Sequence, residues 1–235
     1  MTKILFVCHG NICRSPMAEL YMKDLCARAG LAGSFALASA ATSAEELGNG
    51  VYPPVRRLLA AHGIDTAGKT ARQLRPDDCE HYDLLIGMDE WNIHNMRRLF
   101  GESAAGRVKL LLDYAGRPGE AVADPWYTRD FEAAWADVTE GCRGLLGALT
   151  ESRVLELGEC RTRAELYAVL REGMDWRPRY GENLDALWDV LTGEEPPETR
   201  YVIALPRQDS PVYGYAEKLR ALFAEAGRLA TNAEG

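Results

Sequence analysis

Short, uninterrupted apolar runs alternate along the first 150 residues with stretches whose apolar residues return every three or four positions. The runs lie at about 3–7 (KILFV), 35–39 (FALAS), 83–88 (DLLIGM) and 108–112 (VKLLL). Runs without polar alternation suit strands covered on both faces, as in a parallel sheet. The three-and-four pattern, seen in Met17, Tyr21, Met22 and Leu25, predicts helices at about 16–29, 51–62, 90–99 and 130–149. Strand–helix alternation implies an α/β sandwich, a four-stranded parallel sheet with helices on both faces. Ligands of such sheets gather at the carboxyl ends of the strands.

Near residue 150 the pattern restarts. Val154 to Leu157 reads as a strand ended by Gly158, and Thr162 with Glu165 forms a capping box for a helix to about Arg171. A turn-rich stretch precedes a helix at about 183–192, closed by Gly193. A strand at Tyr201–Leu205 and a helix at about 212–226 complete the pattern. This predicts two domains, 1–150 and 151–235, the second a small α/β unit, with no Pro/Gly/Ser linker between them.

Composition narrows the function. A net charge of −8 argues against a nucleic-acid grip, which wants a basic face. The N-terminal apolar run is too short for a secretory or membrane-spanning segment. Six cysteines, irregularly spaced, build neither a secreted disulfide scaffold nor a metal site, and no cofactor is called for. The expected location is a reducing cytoplasm.

The chemistry begins at Cys8-His9-Gly10-Asn11-Ile12-Cys13-Arg14-Ser15, directly after the first strand and before a helix that Pro16 helps to start. Successive backbone N–H groups ending at a helix N-terminus form a cradle for a tetrahedral oxyanion. Gly10 is expected to provide the turn that the loop needs. Cys8 at the floor of the cradle would be held as thiolate by those dipoles and by Arg14. Arg14 presents a fork for two phosphate oxygens.

Cys-x5-Arg alone is a weak signal, but CxGNxCRS in this setting resembles the low-molecular-weight protein tyrosine phosphatases. The resemblance extends to Ser39 in ASAAT, to Ala71-Arg72-Gln73, to Met88-Asp89 with Asn92, and to Asp124-Pro125-Trp126-Tyr127. It implies Cys8 as nucleophile, Arg14 as phosphate clamp and Asp124 as general acid and then base. His9, Gly10, Asn11, Ile12, Cys13 and Ser15 would complete the phosphate loop, with Asn11 supporting it and Ser15 donating to Cys8. Trp126 and Tyr127 would wall an aryl cleft, and the substrate would be a phosphotyrosine protein. Ile12 is similar to the tyrosine-specific members, where relatives acting on phosphoarginine carry Thr. Cys13 is the resemblance's partner for a reversible disulfide with Cys8. Lys69 stands where many relatives carry His, so the support of the loop is expected to differ. Arsenate reductase, which shares the loop, needs a cysteine pair that the segment Met88–Arg98 lacks.

Residues 151–235 hold 16 acidic and 11 basic residues, hence five of the eight net negative charges. Asp185, Trp188 and Asp189 share one helix face at i, i+3 and i+4, while Leu184, Leu187 and Leu191 face the core. Like charges at i, i+4 do not stabilise a helix, and a Trp between them suits contact with a basic partner. RYGENLDALWD, residues 179–189, resembles the signature of barstar, the ribonuclease inhibitor. By that resemblance Asn183, Asp185, Trp188, Asp189 and Glu225 bind the partner, a barnase-like ribonuclease or another basic protein. Arg179 and Glu194 depart from the pattern, and RLATNAEG after Gly227 lacks barstar's last apolar strand, which predicts an open sheet edge. The alternative is an inhibitor-type binding protein with the first domain as accessory.

Overall fold

The computed structural model describes residues 1–174, 176, 181–194, 196 and 198–230. Contacts divide the chain into two units, Met1–Asp24 with Gly33–Leu145 and Leu25–Ala32 with Leu146–Gly235.

The first unit is built on strands β1 (Thr2–Cys8), β2 (Phe35–Ala41), β3 (Leu84–Gly87) and β4 (Val108–Leu110), all parallel in the order β2-β1-β3-β4. Ile4 to Val7 are fully buried, as an unbroken apolar run in a two-face-covered strand must be. Chain order reverses at β1, which has β2 on one side and β3 on the other. The crevice outside the carboxyl ends of β1 and β3 is therefore the place where such a sheet receives a ligand.

Helices α1 (Arg14–Arg28), α2 (Pro53–Ala61), α4 (Glu90–Phe100) and α6 (Phe131–Thr150) follow the three-and-four pattern. Two shorter ones, α3 (Asp78–His81) and α5 (Pro125–Thr128), carry no readable periodicity because each is a single turn. Gly87 lets α4 lie directly on β3: a Cβ there would stand 2.8 Å from Ile93 Cδ1.

In the second unit β5 (Arg153–Glu156) and β6 (Tyr201–Ala204) pair in parallel. Helices α7 (Arg163–Met174), α8 (Leu184–Asp189) and α9 (Tyr213–Glu225) close a core around Leu155, Tyr167, Leu187, Leu191 and Phe223. The capping box is present: Glu165 N–H donates to Thr162 Oγ1 (3.2 Å) and Thr162 N–H to Glu165 Oε2 (3.1 Å). The last turn of α1 belongs to this unit, where Arg28 pairs with Glu156 (2.6 Å) and donates to the Leu205 carbonyl (3.1 Å).

One expectation fails here. Gly193 does not close the helix after α8, because the chain continues into a π turn at Val190–Glu194. Buried Arg228 donates to the Leu191 carbonyl from Nε (3.0 Å) and Nη2 (2.8 Å), satisfying the acceptor that a glycine cap would have served. The missing last strand is replaced by one parallel bridge between Tyr201 and Leu229, with Ala230 N–H donating to the Tyr201 carbonyl (2.8 Å). Arg179 and residues 231–235 lie outside the described residues, and of the departure at Glu194 only its place in the π turn is described.

Candidate active site

β1 delivers Cys8 to the end of the sheet, and the chain passes through residues 9–13 into α1, so that Arg14 is the first helical residue. Cys8 is buried and accepts two hydrogen bonds at sulfur, from Ser15 Oγ (3.0 Å) and from Asn11 N–H (3.3 Å). Both donors point at the sulfur, which sits at the N-terminal end of α1.

The turn is made differently from the expectation. Asn11, not Gly10, takes the left-handed conformation, with φ of 56°. Asparagine is one of the few residues other than glycine that visits this region, and in this loop its amide is held by hydrogen bonds. Here Nδ2 donates to Ser15 Oγ (2.8 Å) and Ser39 Oγ (2.7 Å), while Oδ1 accepts from Arg72 N–H (3.2 Å). Gly10 matters for space: a Cβ there would stand 3.2 Å from Glu46 Cγ.

The network continues inward. Ser39 Oγ donates to Glu19 Oε2 (2.6 Å), which also receives Lys69 Nζ (2.7 Å), and Lys23 holds the other oxygen. Lys69 thus puts a charge against a buried carboxylate at the back of the loop. Burial pushes the Glu19 pKa up, but Lys69, Lys23 and Ser39 outweigh it and hold the carboxyl below its ordinary range.

Arg14 is buried, and its two terminal nitrogens are shared out: Nη1 to Asp89 Oδ2 (2.8 Å) and Nη2 to Asp124 Oδ2 (2.7 Å). Burial pulls its pKa down, but Cys8, Asp124 and Asp89 together raise it above the ordinary guanidinium value. Asp89 also caps α4, its Oδ1 accepting from Asn92 N–H (2.8 Å). Asp124 caps α5 in the same way, with Oδ1 accepting from Trp126 N–H (2.9 Å). The approach to Asp124 is fixed by Val122 N–H on the Met88 carbonyl (2.8 Å) and Ala123 N–H on Asp137 Oδ2 (2.8 Å).

One cleft collects Cys8, His9, Gly10, Ile12, Cys13, Arg14, Asp124, Trp126 and Tyr127, with Glu45 and Glu46 at its rim. Asn11 and Ser15 lie beneath it. Trp126 and Tyr127 are exposed, and Tyr52 packs against Trp126 with ring centroids 6.0 Å apart. Among the described residues no three His, Cys, Asp or Glu side chains gather in a metal-holding group. No helix among them is long and apolar enough to cross a membrane.

Glu19, Tyr52, Glu45 and Glu46 were not singled out from the sequence, and Asp89 was named only as part of a motif, without a role. Its hold on Arg14 is seen only in the structure. The other four reach the site only through the tertiary fold.

A family model described as "Low molecular weight phosphotyrosine protein phosphatase" matches residues 3–155. The chain belongs to this family. Among its similar proteins is the low molecular weight protein-tyrosine-phosphatase YfkJ of Bacillus subtilis, 38% identical over 156 residues, covering 66% of this chain and 100% of that protein. The human low molecular weight phosphotyrosine protein phosphatase is 33% identical over 150 residues, 61% of this chain and 92% of its own. The crystal structure of YfkJ superposes with a TM-score of 0.62, covering 64% of this chain and 96% of that one. The Drosophila arginine phosphatase DARP gives a TM-score of 0.58 at 30% identity, covering 63% of this chain and 98% of its own. A second family model, "Barstar (barnase inhibitor)", matches residues 150–233, so a barstar-like region follows the phosphatase fold.

In the barstar-like region Asn183, Asp185, Trp188, Asp189 and Glu225 are all exposed. Asn183 Oδ1 accepts from Ala186 N–H (2.8 Å), so that oxygen is committed to capping α8. Leu187 and Leu191 are fully buried and Leu184 partly so, which turns the acidic face outward.

Proposed function

We propose that the chain hydrolyses phosphotyrosine in proteins through a phosphocysteine intermediate at Cys8. The observation that carries this reading is the meeting of Cys8, Arg14 and Asp124 in one cleft, with Arg14 bonded to Asp124 and Ser15 bonded to the Cys8 sulfur. Entering phosphate takes over the Arg14 fork and frees the Asp124 carboxyl toward the ester oxygen. The Cys8 thiolate attacks phosphorus, the S–P bond forms, the P–O aryl bond breaks, and Asp124 gives its proton to the departing phenolate. Water then attacks the phosphocysteine, Asp124 takes the water's proton, and the S–P bond breaks. One water is consumed, and a phenol and inorganic phosphate leave. Arg14 and the loop N–H groups stabilise the equatorial oxygens throughout. Trp126 and Tyr127 wall the aryl ring, and Ile12 gives an apolar side to the cleft. The chemistry needs reduced Cys8, which fits a cytoplasmic location.

The test is hydrolysis of para-nitrophenyl phosphate between pH 4 and 8. Turnover is expected in the native chain and only background in Cys8→Ser. A folded native chain without turnover under reducing conditions would sink the reading.

A second reading concerns residues 151–235. We propose that they form a barstar-like binding domain whose face, with Asp185, Trp188, Asp189 and Glu225, meets a basic protein such as a barnase-like ribonuclease. The exposure of all four side chains, three on α8 and one on α9, supports it. Binding to such a ribonuclease should weaken steeply with salt and be lost in Asp189→Ala. Unchanged affinity in that variant would overturn this reading.

A further inference from the structure

We infer that the rim of the cleft selects phosphotyrosines flanked by basic residues and disfavours acidic neighbours, with Glu45 and Glu46 as the residues that discriminate. This rests on the phosphatase reading, since it is the Cys8–Ser15 loop that fixes where the phosphate sits and therefore which residues face its neighbours.

The segment that carries the two carboxylates is fastened to the loop at both ends. On one side Thr42 N–H and Ser43 N–H donate to the carbonyls of Cys8 (2.9 Å) and His9 (3.0 Å), and on the other Tyr52 N–H donates to that of Ile12 (2.9 Å). Between them Gly48 N–H donates to the Ala71 carbonyl (2.9 Å) and Ala71 N–H to that of Asn49 (2.8 Å). The rim is thus part of the phosphate loop's own framework, held in place at several points.

Glu46 is half-buried over the loop. Its Cγ lies 3.2 Å from the position a Gly10 Cβ would take, and its carboxylate is held by Asn49 Nδ2 (2.7 Å). Its charge helps raise the Cys13 thiol, behind burial, Cys8 and Asp124. Glu45 is exposed beside it and faces His9, with Nε2 and Oε2 3.4 Å apart, an ion pair only when the imidazole is protonated. Across the cleft Arg129 lies over the Trp126 ring, 5.7 Å from its centroid, and donates to Tyr52 Oη (3.3 Å).

At the cleft floor the single positive charge of Arg14 is already engaged by two carboxylates, Asp89 and Asp124. Glu45 and Glu46 add two more carboxylates to the lining of the same cleft. A Lys or Arg next to the phosphotyrosine pairs with them, while an Asp or Glu there adds like charge to like. Pairs this exposed are individually weak, so the selection is graded: roughly twofold to fivefold in kcat/KM for each favourable pair at low salt, fading as salt rises.

The test compares two phosphotyrosine peptides of equal length, one with Lys or Arg on both sides of the phosphotyrosine and one with Glu. The full-length native chain, Glu45→Gln/Glu46→Gln and para-nitrophenyl phosphate complete the set. The native chain should prefer the basic peptide by about tenfold or more at low salt. The double variant should lose most of that preference by slowing on the basic peptide and speeding on the acidic one. Turnover of para-nitrophenyl phosphate with no preference between peptides, or with the acidic one preferred, would overturn the inference and leave the phosphatase reading standing. So would a preference that persists in the folded double variant. No turnover of any of the three substrates would instead defeat the reading itself.

Discussion

Lys69 puts a fixed positive charge against buried Glu19. Its removal leaves a carboxylate, 4% exposed as a residue, which keeps Lys23 and Ser39 as partners among the described residues. Lys69→Met should therefore cost about 1–3 kcal/mol, read from urea unfolding, and Lys69→Met/Glu19→Gln should recover much of it. The same carboxylate sets an acid limit. Its folded pKa is lowered, so its contribution is present above the ordinary glutamate range near 4.3 and is lost as pH falls below it. Glu19→Gln should flatten that acid limb of the stability curve. Buried thiols do the opposite. Cys13 and Cys26 are both pushed up to about 12, Cys26 by burial and Cys13 by burial and then by Cys8 and Asp124. Stability from keeping them neutral is whole below the ordinary thiol value near 8.5 and is lost as pH climbs from there toward 12. The loss approaches about 1.4 kcal/mol per pH unit for each thiol. Comparing Cys26→Ala with the native chain at pH 8 and pH 10.5 isolates one such contribution.

At the scale of elements, two helix starts do the aiming. Asp89 and Asp124 each cap a helix with one oxygen and hold Arg14 with the other, so helix starts and charge placement are one construction. Asp124→Asn keeps the cap but cannot protonate the leaving group. Its kcat should fall by about 10²–10³ on phenyl phosphate and by less on para-nitrophenyl phosphate, whose phenolate leaves more readily. In the second unit the capping box at Thr162 and Glu165 starts α7. Thr162→Ala should lower stability there by about 1 kcal/mol, read as a shift in the unfolding midpoint.

For the molecule as a whole, the match to the phosphatase family ends at residue 155, and YfkJ is covered over its full length by 66% of this chain. A chain truncated after Glu151 should therefore retain turnover of para-nitrophenyl phosphate per folded molecule. It should also be less stable, because Leu25–Ala32 belongs to the second unit and Arg28 loses Glu156 and the Leu205 carbonyl. Inactivity of a folded truncated chain would show that the phosphatase fold depends on residues beyond 151.

Much of this was legible in the order of residues. Periodicities gave the four parallel strands and the long helices, because burial on two faces or one forces those patterns locally. Cys8, Arg14 and Ser15 were legible because one loop between a strand and a helix holds them. What the line of residues could not carry was everything set by distance through space. That Asn11 rather than Gly10 makes the turn depends on hydrogen bonds to Ser39 and Arg72, which are remote in sequence. The π turn after α8 depends on Arg228, contributed from beyond α9. Glu45 and Glu46 reach the rim only because the segment after β2 is tied back to the loop that follows β1. A sequence determines the local bonds and the faces that must be buried; which distant charges then share one cleft is decided when those faces close on each other.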